Sequence, residues 1–227
     1  MKKLGIVITD GVGFRNFVMS DFLIEANLQF DAIIIYSGLP ISAYPAVLPS
    51  RVIIKELDVF IEGKWTWFFR KWKELAHLQK YKSFYGMKDN LRSGYPKTNS
   101  ARSLLVKIIY FFTQTVHSSA SILFAEKLQF LSFAKHKITR DYIQMLREDQ
   151  PTHIFFTHQR PSYLAPFLYA AIESKILVSS FIFSWDNLAS KGRMLGTFNY
   201  FLVWSDLMKK ELLYFYPNVK AEKVRVV

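Results

Sequence analysis

A chain of 227 residues that is 51% hydrophobic and 17% aromatic can fill the core of one large domain or two small ones, and its composition excludes disorder. It has no cysteine, which excludes disulfides and thiolate metal sites, and its five scattered histidines lack zinc-ligand spacing, so no metal is expected. The net charge of +12 is concentrated in residues 64–150, where 16 basic and 6 acidic residues leave a net +10, so an acidic partner should meet the chain there.

Leu4 to Thr9 reads as a buried strand. Asp10 ends this apolar run too early for a signal peptide. Asp10-Gly11-Val12-Gly13 follows as a turn, and apolar spacing near 3.6 predicts a helix over 17–30. Ala32 to Tyr36 is a second strand, 40–50 a Pro-rich loop, and Arg51 to Phe60 a third strand. This β-α-β order with continuous apolar strands predicts a parallel sheet covered on both faces.

Residues 64–85 predict an amphipathic helix, with Trp65, Phe68, Phe69, Trp72, Leu75 and Ala76 at helical spacing. Gly86 to Ser100 predicts an exposed loop, Ser100 or Ser103 a helix cap, and 101–148 helix in two or three pieces. Alternation then resumes. Strands are expected at His153 to Thr157, Leu177 to Ser184, Asn199 to Trp204 and Val224 to Val227. Helices are expected at Ser162 to Lys175 and Asp206 to Tyr216. The whole predicts an α/β Rossmann-like open parallel sheet with a helical insertion at 64–150. The stretch Ile108 to Ala125, free of Asp, Glu, Lys and Arg, is too polar in its second half to span a bilayer, so a cytoplasmic protein is expected, peripheral on a membrane at most.

Ligands of parallel sheets bind beyond the carboxyl ends of the strands. The expected strand tips bring Asp10, Gly11 and Gly13, then His158 and Arg160, then Trp185, Asp186 and Asn187, with Lys191 beyond. Asp10 and His158 are the candidate bases, since a carboxylate or an imidazole can take a hydroxyl proton. The plain alternatives are an Asp10 that caps the next helix and a His158 bonded to a carbonyl. Two glycines after Asp10 would let the backbone turn sharply and a substrate approach, although the third glycine of a dinucleotide fingerprint is missing. Arg160 could neutralise phosphate or form a surface ion pair. Trp185 could stack on a sugar while Asp186, Asn187 and Lys191 hydrogen-bond it, or the segment is a turn closing a core strand.

Aromatics at 65, 68, 69 and 72 with Lys71 and Lys73 suit acyl chains and anionic headgroups. An ordinary packed helix is the alternative, and Trp67, off the main apolar face, favours the interfacial reading. Single-stranded nucleic acid would also suit basic and aromatic residues, but no nucleic-acid motif accompanies them.

Phe183-Ser184-Trp185-Asp186-Asn187-Leu188-x-Ser190-Lys191-Gly192, with Val203-Trp204-Ser205-x-x-Met208-Lys209-x-Glu211-Leu212 and the closing Val224-Arg225-Val226-Val227, resembles bacterial two-domain (GT-B type) surface-polysaccharide glycosyltransferases, including relatives of CDP-glycerol glycerophosphotransferases. The resemblance spans about 45 residues at 184–227. It implies the acceptor-binding N-terminal half of such an enzyme, with a glycan or lipid-linked acceptor. It also implies a nucleotide-sugar donor held by a second, C-terminal domain, and no essential metal or other cofactor. That second domain would follow Val227 or be a separate polypeptide.

Overall fold

A computed structural model describes all 227 residues. In chain order the elements are β1 (Lys3–Ile8), α1 (Gly11–Phe17), α2 (Phe22–Gln29), β2 (Ala32–Ser37), β3 (Val52–Glu56) and then five consecutive helices. These are α3 (Lys64–Lys80), α4 (Tyr85–Ser93), α5 (Ala101–Thr115), α6 (Ser119–Phe133) and α7 (Lys137–Asp149). The alternation resumes with β4 (His153–Phe156), α8 (Ala165–Glu173), β5 (Leu177–Phe181), α9 (Asp186–Ser190), β6 (Tyr200–Val203), α10 (Asp206–Phe215) and β7 (Val224–Val226).

The seven strands form one all-parallel sheet in the order β3-β2-β1-β4-β5-β6-β7. Such a Rossmann-like sheet must be covered, and the alternating residues of each strand divide the core accordingly. Ile6, Ile8, Ile33, Ile35 and Phe155 face α1 and α2. Val7, Ile34, Tyr36, Ile154, Phe156, Phe201 and Val203 face the other way, onto α7, α8 and α10. Because the chain moves outward from β1 in both directions, the sheet order reverses between β1 and β4. The loops after these two strands part there, which opens a crevice at the carboxyl rim.

The helix expected at 17–30 is shorter, α2 at Phe22–Gln29, and the segment expected as a turn begins a separate helix, α1 at Gly11–Phe17. The Ser20 hydroxyl donates to Asn16 O at 2.6 Å and accepts from Phe22 N at 3.3 Å, so one side chain ends α1 and helps start α2. The third strand stops at Glu56; Leu57 and Phe60 leave the ladder to pack into the insertion. Within the expected loop 86–100 lies α4, whose Met87 and Leu91, one turn apart, are buried among polar neighbours. Residues 101–149 form three helices, and Ser100 caps the first by accepting from Ser103 N. The segment expected to be loop after β5 contains the short α9.

The insertion is tied to the sheet at its far end. Asp149, the last residue of α7, accepts from Tyr36 Oη at 3.0 Å and pairs with Lys55 Nζ at 2.5 Å, while Lys3 Nζ donates to its carbonyl at 2.8 Å. No helix is long and apolar enough to cross a membrane.

Candidate functional site

Asp10 ends the extended run after β1 and faces two ways. Its Oδ1 accepts from Val12 N and Gly13 N, both at 2.9 Å, and so caps α1. Its Oδ2 accepts from Thr9 Oγ1 at 2.9 Å and lies 3.5 Å from His158 Nδ1, just past β4. The two residues thus flank the β1–β4 crevice. The 3.5 Å separation is an electrostatic contact, longer than a tight hydrogen bond. Burial works to raise the Asp10 carboxyl, but the Gly13 and Val12 amides, Thr9 and His158 together hold it below its ordinary value. Burial pushes His158 down, helped by Arg160 and opposed by Asp10. At neutral pH the site therefore holds a carboxylate beside a neutral imidazole. With Nδ1 turned to Asp10, Nε2 is the ring nitrogen left to take a proton, and the Phe183 ring packs on the imidazole 5.2 Å away.

The sharp glycine turn is absent. Neither Gly11 nor Gly13 has a positive φ; both lie in the first turn of α1. Gly11 is open on all sides. At Gly13 an added Cβ would come within 2.6 Å of Thr157 Oγ1, so this glycine lets α1 start close against the end of β4.

Arg160 fixes the far side of the crevice. Its guanidinium donates to Gly192 O at 2.7 Å and to Asn187 O, fastening the loop after α9 to the β4 tip. With both bonds going to carbonyls, a surface ion pair does not describe it. A cavity of about 530 Å³ opens beside it, lined by His158, Arg160, Asn187, Lys191 and Arg193 on the rim and by Arg70, Lys71, Glu74 and Asn90 from the insertion. Four sequence candidates therefore converge: His158, Arg160, Asn187 and Lys191. Trp185 and Asp186 do not line this cavity; they border a neighbouring one with Tyr85 and Asp89 of α4, and Trp185 is 68% exposed. Asp186 instead accepts from Ser184 Oγ and lies 3.8 Å from Lys191 Nζ.

Arg70, Glu74, Asn90 and Arg193 escaped the sequence reading. Arg193 stood next to the quoted Lys191-Gly192. The other three belong to the insertion, where no spacing marks a residue as facing a sheet rim. Arg70 grips Glu62 through two bonds of 2.6 Å and Glu74 through one of 2.8 Å. Lys71, expected at a membrane, turns to Glu74 at 3.1 Å and lines the cavity.

Lys73 is a second correction. It is 2% exposed, donates to Leu195 O at 2.5 Å and lies 3.9 Å from Glu126, so it cannot meet headgroups. Burial pushes its ammonium down to about 8, against the pull of Glu126 and with the push of Arg193. Trp67 also packs inward, under the Arg102 guanidinium at 5.0 Å. The remaining aromatics do line up. Trp65 is exposed, Phe68 and Phe69 are half-buried, and Trp72 bridges to Phe112 of α5 and Phe124 of α6. No three His, Asp or Glu side chains converge as a metal-binding group.

No protein-family model matches the chain, and it has no significant match among curated proteins.

Proposed function

We propose that the chain is the acceptor-binding half of a glycosyltransferase for cell-surface polysaccharide, with a second domain holding the nucleotide-sugar donor. The observation that supports this best is the Asp10–His158 pair at the point where the sheet order reverses, opening on a polar cavity. His158 Nε2 takes the proton of an acceptor hydroxyl. The freed oxygen bonds to the anomeric carbon as the bond to the donor phosphate breaks, and the nucleotide leaves with that electron pair. Asp10, with its lone pairs committed to the cap, Thr9 and His158, orients the ring and stabilises the imidazolium rather than acting as the base. Transfer of glycerol phosphate is a close variant that uses the same base.

The test is release of nucleotide from a panel of nucleotide sugars and CDP-glycerol by the chain together with its donor-binding domain, in the presence of oligosaccharide or glycerol phosphate acceptors. A folded His158→Gln protein should lose turnover while still binding acceptor. Turnover that survives this change refutes the assignment.

One observation favours a second role, attachment to an anionic membrane as a module in its own right. Trp65 at 68% exposure, Phe111 at 59%, Ile108, Leu104 and Phe124 are exposed apolar side chains of α3, α5 and α6, helices that Trp72 joins through Phe112 and Phe124. They are carried by the segment with a net charge of +10. That charge would repel a second copy and attract anionic lipid. Sedimentation with phosphatidylglycerol vesicles should be strong for the wild type and lost for Trp65→Glu/Phe111→Glu. Equal sedimentation of both proteins removes this role.

A further inference from the structure

The cavity beside His158 has an unbalanced lining. Arg70, Lys71, Arg160, Lys191 and Arg193 contribute five cations, and Glu74 is the single carboxylate. Glu74 is already held by Arg70 and Lys71. The carboxylates behind the wall do not cancel the excess. Glu62 is consumed by two bonds from Arg70, Glu126 is shared between Arg193 Nε at 3.5 Å and Lys73, and Asp186, 3.8 Å from Lys191 Nζ, offsets only that one lysine.

The donors are unbalanced in the same sense. Asn187 is 5% exposed, and its amide nitrogen meets no acceptor; Arg160 Nε is likewise buried without one. A buried donor left unpaired is costly, and native chains rarely tolerate one without a ligand or water to complete it. Both residues line the same space. A volume of about 530 Å³ is in the range that accepts a small organic ligand. The missing component is thus a group with several acceptor oxygens and negative charge, within reach of donors that come from two walls.

We propose that this cavity binds a phosphate-bearing group and holds it next to His158. Lys71 and Lys191, both solvent-accessible, close on it from opposite walls, and Asn187 and Arg160 line the same space. As a substrate class this rests on the transferase reading, because the group would belong to the acceptor. As an anion site it stands on the lining alone.

The experiment is isothermal titration of the full chain with inorganic pyrophosphate, with acetate and glycerol as controls. Pyrophosphate should bind, with affinity falling as salt rises. Lys71→Gln/Lys191→Gln should weaken it tenfold or more. Asn187→Leu should weaken it too, with circular dichroism and melting temperature showing that each variant is folded. If Asn187→Leu does not fold, the lysine pair carries the test. Parallel titrations with a nucleoside diphosphate and with a polyprenyl diphosphate in micelles distinguish a free phosphate ester from a lipid headgroup. Pyrophosphate binding no tighter than acetate, or indifferent to both lysines, overturns the proposal. Failure of the two readings separates cleanly. Anion binding without transfer to any acceptor, with the donor-binding domain present, refutes the transferase alone. Transfer to a neutral acceptor by a protein that ignores pyrophosphate refutes the anion site alone.

Discussion

Substituting Asp10 separates its two tasks, because asparagine and alanine remove different things. Alanine deletes the cap: two amide donors now satisfied at 2.9 Å lose their acceptor, at a cost of about 1 kcal/mol. For a chain of this length that lowers the melting temperature by roughly 2–4 °C. Asparagine caps about as well as aspartate, so Asp10→Asn should melt close to the wild type. What asparagine removes is the negative charge 3.5 Å from His158 Nδ1. That charge raises the His158 pKa against burial and Arg160, so its loss should drive the pKa further down. The assay is a nuclear magnetic resonance titration of the five histidines, beside thermal unfolding. His158 in Asp10→Asn should titrate at lower pH than in the wild type, and the acid limb of any transfer activity should move with it. Turnover should fall by about 10²–10⁴, the range lost when general-base catalysis is impaired. A His158 midpoint that stays put or rises in the asparagine variant refutes the pairing and leaves Asp10 a cap only.

Three further outcomes follow from buried polar groups and close packing. His77, His153 and His158 are all held below 6.5, chiefly by burial. The unfolded chain then binds protons that the folded one does not, so urea unfolding should show stability falling as pH drops below about 6.5, less steeply in His77→Phe. Lys73, Glu126 and Arg193 form a buried cluster with one excess positive charge. Lys73→Met should be neutral or stabilising at pH 7, whereas Glu126→Gln, which strands two cations, should cost roughly 3–5 kcal/mol. Because Lys73 titrates near 8 in the fold and 10.5 unfolded, the wild type but not Lys73→Met should gain stability between those pH values. Gly86→Ala places a Cβ 2.6 Å from that of Ser190 and 2.8 Å from Ala189 O, so α4 and α9 must separate; a loss of about 1–3 kcal/mol in chemical denaturation is expected.

What could be read from the residues divides along a physical line. The strands were legible because burial on both faces writes itself as continuous apolar runs, and every strand of the sheet was anticipated within a few residues. The rim residues Asp10, His158 and Arg160 follow from strand ends, and Asn187 and Lys191 from the polar segment beyond one. Local competition was harder to see. Ser20 breaks a helix that periodicity runs straight through, and α4 hides behind polar residues because only Met87 and Leu91 reach the core. Lys73 reads as a headgroup contact because it stands among aromatics that suit a membrane interface. Nothing in its neighbours announces that Glu126, 53 positions on, and Leu195 O will enclose it.

The helix α3 shows why composition alone misplaced the charge. At 3.6 residues per turn, Arg70, Lys71, Glu74 and Leu78 share one side, and Trp65, Phe68, Phe69 and Trp72 the other. The first side closes the cavity over the sheet rim, and the second joins Phe112 and Phe124 on the outer surface. One helix therefore forms the wall of the cation-lined cavity and the apolar face at once. Trp67, which by angle belongs with Arg70, points inward for the same reason. The exposed aromatic face and the cavity lie back to back on a rigid element. A membrane met by the outer side would hold that cavity at a fixed distance from it, within reach of a phosphate group carried at its surface.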